Sequence, residues 1–141
     1  MEKIFKSGEY EKAIQDFTKI IESNTDKDGG VICLVRSDLA LAYQNRADCY
    51  RELGELEKAI SDYSESVRFM SDNCTAYNNR GEIYETLGEY EKAVEDYNAA
   101  IETDVEYYDN AIYFYNRGRT YYLMKKYEEA ASDFAGAIRM D

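Results

Sequence analysis

Apolar and aromatic residues recur along this chain at steps of three and four, with charged residues between them. In the clearest case Tyr77, Gly81 and Tyr84 fall on one face of a helix. A second helix follows, in which Ala93 and Tyr97 form another face. The spacing predicts seven helices, over residues 9–22, 37–53, 55–70, 74–87, 89–103, 108–124 and 126–140.

This pair of helices repeats. The second-helix alanine occurs four times, at positions 13, 59, 93 and 130. The first-helix block, an aromatic followed by Arg three residues later and by Tyr at seven, begins at Tyr43, Tyr77 and Phe114. Gly54 and Gly88 stand between the two helices of their copies, where a turn can use positive φ. The chain is therefore an array of helical hairpins.

The array resembles the tetratricopeptide repeat family, in which an aromatic, a Gly and a Tyr precede an Ala and another aromatic, with a period of 34 residues. The resemblance covers nearly the whole chain. There are departures: Arg46, Arg80 and Arg117 replace the usual Leu, and the chain has no Trp and no Pro. The resemblance implies an all-α fold, an α-solenoid of stacked antiparallel helix pairs that forms a right-handed superhelix.

We expect one helical-repeat domain over residues 1–141. Its first repeat, 1–25, lacks most of a leading helix, and an insertion at 26–39 follows. Three further repeats are expected at 40–73, 74–107 and 111–141.

Each recurring Arg has a candidate acidic partner in the second helix. The matching carboxylates are Asp16, Asp62, Asp96 and Asp133. Because Arg pairs with carboxylates through two parallel hydrogen bonds, we expect ion pairs between the helices. For Arg80 the sequence leaves two partners open, Asp96 of the same repeat and Asp62 of the preceding one. Arginines that stayed free in solvent would instead be ligand contacts.

The residue before each Arg is an asparagine: Asn45, Asn79 and Asn116. An amide side chain both donates and accepts, so it can hold a peptide bond. In some members of the family the matching residues form an asparagine ladder along the inner groove, and the resemblance implies this role here. The alternative is that they only solvate or cap the concave face.

The same resemblance predicts the other residues of a peptide-binding groove: Gln44, Asp48, Asn78, Glu82, Glu85, Tyr115, Arg119 and Tyr122. Five tyrosines lie outside the repeat core positions: Tyr107, Tyr108, Tyr113, Tyr115 and Tyr122. Aromatic residues with a polar end often anchor interfaces, so these could form an interaction surface. Extra core packing around the insertion before the last repeat is the equally open alternative.

Charge narrows the range of partners. The net charge of -12 disfavours nucleic acid and anionic membranes and favours a neutral or basic protein partner. One class of the family binds acidic chaperone tails through a basic clamp, but here the clamp positions hold Thr75 and Asn79, or Ile112 and Asn116. The resemblance therefore disfavours chaperone-tail binding.

The chemistry of catalysis and metal binding has little support. The chain has no His, the commonest general base, and no base is evident for Cys49. Residues 24–31 mimic the start of an EF-hand loop, but its twelfth position is Val35 instead of a bidentate Glu. We expect no catalytic site, no metal site and no cofactor. An odd set of three cysteines without a C-x-x-C pair indicates buried free thiols in a reducing cytoplasm.

The leading hypothesis is a non-enzymatic scaffold whose concave groove holds an extended segment of a partner protein. One alternative is self-association into a homo-oligomer through apolar ends that expose Ile20, Ile21, Phe134 and Ile138. Another is that the chain is a repeat fragment of a larger regulatory protein.

Overall fold

The computed structural model describes residues 7–25, 36–104 and 110–140. These residues form seven α-helices, all within two residues of the predicted bounds: α1 Ser7–Ser23, α2 Arg36–Glu52, α3 Leu56–Phe69, α4 Cys74–Thr86, α5 Tyr90–Thr103, α6 Asn110–Leu123 and α7 Tyr127–Met140. The all-α fold of stacked antiparallel helix pairs is confirmed. In the described ranges, no helix has the length and apolar character needed to cross a membrane.

The chain divides into two compact units, Met1–Ser71 and Asp72–Asp141. In the first unit α2 packs against both α1 and α3. In the second unit each helix from α4 to α7 packs against the next, and α4 also contacts α6. The grouping of all 141 residues into a single repeat domain remains a prediction, as do the individual repeat bounds.

Two of the hairpin turns use glycine in the left-handed region. Gly54 and Gly88 have φ values of 77° and 78°. The residue after each glycine closes the turn, since Glu55 N–H donates to the Tyr50 carbonyl and Glu89 N–H to the Tyr84 carbonyl, both at 2.9 Å. The third turn has the same geometry around Lys125, with φ 63°. A residue with a side chain pays about 1–2 kcal/mol for this conformation, so the last turn is less favourable than the others.

Small residues allow the two helices of a hairpin to approach closely. Ala59, Ala93 and Ala130 are buried, as the repeat pattern predicts. On the facing helices, a Cβ added at Gly81 would lie 2.9 Å from the Tyr97 ring, and one added at Gly118 would lie 3.0 Å from the Phe134 ring. The glycines are therefore packing positions, where the facing aromatic ring occupies the space of a side chain.

The core of the first unit corrects one expectation. Ile21 is buried in a cluster with Leu39 and Phe69, so its predicted exposure at an uncapped end is wrong. It is covered because α1 packs on α2. Its neighbour Ile20 is exposed, as expected.

The recurring arginines pair with the aspartate of their own repeat. Arg46 donates from Nε and Nη2 to the two Asp62 carboxylate oxygens at 2.7 and 2.8 Å. Arg117 does the same to Asp133 at 2.8 and 2.7 Å. These pairs join the two helices of each hairpin. Arg80 pairs in the same way with Asp96, so of its two possible partners the one in the same repeat is used.

Each guanidinium also lies beside two rings, and those of Arg46 and Arg117 reach the preceding helix. The Arg117 guanidinium carbon is 5.0 Å from the Phe114 ring centre and 6.0 Å from that of Tyr121. Its Nη1 donates to Asn98 Oδ1 on α5 at 2.8 Å. In the first unit Arg46 Nη1 donates to Thr18 Oγ1 on α1 at 3.0 Å. At these two positions the Arg that replaces the family's Leu therefore bonds to its own hairpin and to the preceding helix.

Candidate functional site

Several predicted groove residues of the second unit meet where α4 and α6 lie side by side. We call this set the α4–α6 seam. Its members from α4 are Asn78, Glu82 and Glu85, and its members from α6 are Asn116, Arg119 and Thr120.

Asn116 is the buried centre of the seam. Only 3% of the residue is exposed. Its Nδ2 donates to Asn78 Oδ1 at 2.9 Å and to Glu82 Oε1 at 3.3 Å. Both amide protons are therefore used within the unit, and the side chain joins α6 to α4 instead of presenting free donors.

A second cluster of bonds surrounds the Glu85 carboxylate. Arg119 Nη2 lies 2.9 Å from Glu85 Oε2, and Thr120 Oγ1 donates to Oε1 at 2.6 Å. Burial lowers the pKa of Arg119, but the hydrogen bond and charge of Glu85 outweigh it and raise the pKa overall. The Arg119 side chain remains partly exposed while that of Glu85 is largely covered, so the guanidinium is the accessible end of this pair.

Two tyrosines extend the accessible surface of α6 on either side of Arg119. Tyr115 is 50% exposed and Tyr122 is 58% exposed, and their spacing puts both on one helix face with Arg119. The Arg119 guanidinium carbon lies 5.8 Å from the Tyr115 ring centre. We call these three residues the α6 face.

The extra tyrosines differ in their exposure. Tyr113 is buried and belongs to the core, whereas Tyr115 and Tyr122 are exposed on the α6 face. Tyr107 and Tyr108 lie outside the described residues.

The remaining predicted groove residues have mixed environments. On α2 of the first unit Asn45 is exposed and Gln44 is half-buried, while Asp48 Oδ1 accepts a hydrogen bond from the buried Tyr63 hydroxyl. Asn79 on α4 is half-buried and engaged with other groups. The three asparagines of the predicted ladder are thus exposed, half-buried and buried in turn, so they do not present equivalent amides.

An apolar groove lies between α6 and α7 in the second unit. It has a volume of about 530 Å³ and is lined by Ala111, Ile112, Tyr115, Phe134, Ala137 and Ile138. We call it the α6–α7 groove. Ile138 is 75% exposed, as predicted, and Phe134 is half-buried.

Cysteines and carboxylates form no reactive cluster in the described part of the chain. No group of three or more potential metal ligands comes together there, and most of the EF-hand-like segment, residues 26–35, lies outside it. Cys49 and Cys74 are free but half-buried, where full burial was expected; Cys33 is not described. Burial, assisted by Asp48 and Glu52, raises the pKa of the Cys49 thiol, which disfavours the nucleophilic thiolate.

Comparison with protein families agrees with this architecture. A model described as tetratricopeptide repeat matches residues 72–141, and a second, described as TPR repeat, matches residues 47–88. The chain belongs to the tetratricopeptide repeat (TPR) family. No curated protein matches the sequence.

Several solved structures share the fold. The second TPR domain of Spaghetti (RPAP3), bound to the HSP90 peptide SRMEEVD, is 26% identical, with a TM-score of 0.66 over 72% of this chain and 92% of that one. BtubC from P. vanneervenii is 19% identical, with a TM-score of 0.80 over 94% of this chain and 57% of that one. YrrB, described as a TPR protein with an unusual peptide-binding site, is 24% identical, with a TM-score of 0.71 over 91% of this chain and 58% of that one.

Three polar residues of this TPR chain form hydrogen bonds between helices that the sequence analysis did not predict. Thr120 bonds to Glu85, and Thr18 and Asn98 accept from arginines. A signal for the last two was present, because each stands five residues after its repeat alanine, Ala13 or Ala93. No comparable signal marks Thr120, whose position holds Cys49 and Ile83 in the other repeats.

Proposed function

We propose that this TPR chain is a protein-interaction module, without catalytic activity of its own, that binds an extended segment of a partner protein on the α6 face. The observation that carries the proposal is the line of Tyr115, Arg119 and Tyr122 on α6, accessible above a hydrogen-bonded seam. Tyrosine and arginine are the side chains that most often dominate binding energy at protein interfaces. Peptide binding by TPR structures of the same fold supports the proposal.

The seam prepares the α6 face for binding. Glu85, which also accepts a hydrogen bond from Thr120, holds Arg119 from one side, and the Tyr115 ring lies beside the guanidinium. Side chains that are already ordered lose less conformational entropy when a partner binds. A partner segment can thus bury the two tyrosine rings, while their hydroxyls and the guanidinium provide hydrogen bonds to its backbone carbonyls.

Asn116 takes a different part in this proposal from the one the sequence suggested. Its two amide donors go to Asn78 and Glu82, so we assign it to holding α6 against α4, with Asn78 and Glu82 as its supports. In the first unit the exposed Asn45 remains a candidate for holding a peptide bond. We assign Asp48 a supporting role, because it accepts a hydrogen bond from Tyr63 and so joins α2 to α3; the half-buried Gln44 and Asn79 remain proposed groove residues.

The charge of the chain sets the proposed partner class. A net charge of -12 attracts a neutral or basic segment. The HSP90 peptide bound by the Spaghetti domain carries two Glu and one Asp in its seven residues, and we propose that this chain does not share that ligand class. The free thiols of Cys49 and Cys74 are compatible with a reducing compartment, and a cytoplasmic location is part of the proposal.

Selection of ligands from a random peptide library tests the proposal. The full chain is used as bait, and the affinity of each selected peptide is measured by calorimetry. Tyr115→Ala, Arg119→Ala and Tyr122→Ala are each expected to weaken binding by about tenfold, the usual effect of removing an anchor residue. Arg68→Ala is the matched control, because Arg68 also forms an exposed ion pair on a helix, to Glu65 at 2.7 Å, but in the other unit.

Two results would reject the proposal. One is the absence of saturable binding by any selected peptide. The other is an affinity that the α6-face variants leave unchanged, or that Arg68→Ala lowers equally.

A further inference from the structure

A polar groove lies on the opposite side of α6 from the α6 face. The helices α5 and α7 both pack on α6, and the groove between them has a volume of about 510 Å³. We call it the α5–α7 groove. The Arg117–Asp133 ion pair and Asn98 line it, together with Ile101 and Glu102 of α5, Tyr121 of α6, and Glu129 and Ser132 of α7. The groove shares no residue with the α6 face.

The first unit carries the same residue types at most of the corresponding positions. Two positions differ. Thr18 stands in place of Asn98, and both accept a hydrogen bond from the arginine. Lys58 stands in place of Glu129, and the other two repeats also have lysine there, Lys12 and Lys92. The six unchanged residues are Ile21, Glu22, Arg46, Tyr50, Ser61 and Asp62, which correspond to Ile101, Glu102, Arg117, Tyr121, Ser132 and Asp133.

The glutamate at position 129 therefore changes the charge of the groove. In the repeats before it, Lys58 and Lys92 each form an ion pair with the glutamate three residues earlier, at 3.1 and 3.4 Å. Glu102 and Glu129 are both exposed, and in the described part of the chain neither carboxylate has an ion-pair partner. Because Arg117 is neutralised by Asp133, these two glutamates leave the groove with two unbalanced negative charges.

We infer that the α5–α7 groove binds an arginine side chain of a partner protein. A guanidinium has five N–H donors and no acceptor, and the carboxylates of Glu102 and Glu129 and the hydroxyl of Ser132 can all accept. The planar group can bond to carboxylates of both walls and lie against the Tyr121 ring, while its methylene stem packs against Ile101. A lysine ammonium is a single point charge and matches this arrangement less well.

The accessibility of the groove does not depend on its being in the last repeat. The counterparts Glu22, Lys58 and Ser61 are exposed in the first unit, although two further hairpins follow them in the sequence. The site goes beyond the proposed function, because it lies on a different side of α6. Two copies of this chain, each with a net charge of -12, would repel each other, so we expect the arginine to come from another, basic protein.

A small blocked amino acid serves as the probe. N-acetyl-arginine methylamide is titrated into the nitrogen-15-labelled full chain at about 150 mM salt, where exposed charges more than about 8 Å apart are largely screened. Amide shifts in NMR spectra report weak association residue by residue, and saturable shifts are expected at residues 98–102 and 129–133. The citrulline analogue, which has a similar shape without the charge, should bind about tenfold more weakly, and the lysine analogue about threefold more weakly.

Protein variants locate the probe. Glu129→Lys is expected to weaken binding by about tenfold or more, because like charges then meet, and Glu129→Gln by about threefold. Glu128→Lys is the matched control, since Glu128 is an exposed glutamate of the same helix outside the groove. Lys58→Glu should create a second site in the first unit, seen as new saturable shifts around Glu22 and Ser61. Thermal unfolding checks that each variant is folded.

Several outcomes would overturn the inference: no saturable shifts at the groove, equal affinity for the citrulline or lysine analogue, equal loss in the Glu128→Lys control, or no new site in Lys58→Glu. Tighter binding of free arginine than of the blocked probe would make a free amino acid the ligand and would also overturn it. So would a concentration-dependent rise in molecular mass that Glu129→Lys abolishes, because a second copy would then supply the arginine.

The proposed function and this inference can fail separately. Tyr122→Ala, which weakens peptide binding under the proposed function, is expected to leave the affinity for the arginine probe unchanged. Glu129→Lys is expected to leave the affinity of peptides bound on the α6 face within about twofold, since the two surfaces share no residue. Equal losses at both surfaces in either variant would contradict the assignment of a separate site.

Discussion

Arg80 donates two hydrogen bonds to the carboxylate of Asp96, at 2.8 and 2.7 Å, and so joins the two helices of one hairpin. The guanidinium carbon lies 5.6 Å from the Tyr77 ring centre and 6.0 Å from that of Tyr84. The same arrangement occurs at Arg46 and Arg117. The repeat therefore uses an ion pair shielded by aromatic rings at a position where its family usually has Leu.

Removing one member of this pair should destabilise the protein strongly. Asp96→Ala leaves a largely buried guanidinium without its partner, and we expect the free energy of unfolding to fall by about 3 kcal/mol. Combining Asp96→Leu with Arg80→Met should recover most of this loss, because no charge then remains buried. Urea unfolding at neutral pH measures both. Lys92→Ala, which removes an exposed pair with Glu89 at 3.4 Å, should change stability by less than about 0.5 kcal/mol; a similar effect at the two sites would contradict the prediction.

Two glycine positions in the last hairpin should respond in opposite directions. Gly118→Ala places a Cβ 3.0 Å from Phe134, and we expect a loss of about 1–3 kcal/mol from overpacking. At Gly136 the nearest atom would be a Phe114 ring carbon at 3.8 Å, an ordinary contact. Gly136→Ala should therefore stabilise α7 by up to about 1 kcal/mol through helix propensity. Thermal unfolding of the two variants tests this, and a loss at Gly136 as large as that at Gly118 would disprove it.

Two equivalent tyrosines should differ when their hydroxyls are removed. The buried Tyr63 hydroxyl donates to Asp48, so Tyr63→Phe should cost about 1 kcal/mol. The buried Tyr97 hydroxyl lies close enough to the Thr120 side chain for that group to lower its pKa slightly against the effect of burial, but it makes no hydrogen bond of normal geometry among the described residues. Tyr97→Phe is expected to be neutral or stabilising, because the variant need not desolvate a hydroxyl. Equal losses in the two variants, measured by chemical denaturation, would show that the hydroxyls do not differ in this way.

The same buried phenol should make stability fall in alkali. Burial raises the pKa of Tyr97 well above its ordinary value of 10.0, and the charges of Glu85 and Glu82 add to the shift. In the unfolded chain Tyr97 loses its proton near pH 10, whereas in the folded protein it keeps it. Its contribution to stability is therefore complete below about pH 10 and falls as the pH rises further, by up to about 1.4 kcal/mol per pH unit.

Comparison with Tyr97→Phe isolates this effect. The stabilities of the wild type and the variant, measured by urea unfolding at a series of pH values, should run parallel below about pH 10 and diverge above it. The wild type should be the one that loses stability faster. Parallel curves throughout the alkaline range would rule out the assignment to Tyr97.

The helices and their pairing were predictable because both depend on local spacing. Aromatic, small and aromatic residues at steps of three and four determine which face of a helix is buried, and the turn glycines mark where hairpins reverse. The Arg–Asp pairs could be anticipated for the same reason, since Arg46, Arg80 and Arg117 and their aspartates recur in fixed register. Whether each Arg pairs with the Asp of its own repeat or of the preceding one could not be predicted. That choice depends on which neighbouring helix the guanidinium reaches in the folded protein.

The environment of each groove residue was harder to predict. Asn45, Asn79 and Asn116 occupy one position of the repeat, yet their burial depends on which residues the neighbouring helix offers. Asn116 is buried because Asn78 and Glu82 of α4 both accept its protons. Ile21 and Ile20 show the same limit, since only the packing of α1 on α2 decides which of two adjacent isoleucines is covered.

The third hydrogen bond of Arg46 and of Arg117 has a consequence for how each unit unfolds. If α6–α7 separated from α4–α5, Arg117 would lose Asn98, Asn116 would lose Asn78 and Glu85 would lose two of its donors. In the first unit, detaching α1 would remove Thr18 from Arg46. Unfolding of one hairpin thus removes hydrogen bonds that the neighbouring helices make. The amides of all helices within a unit should therefore exchange together, instead of one hairpin at a time.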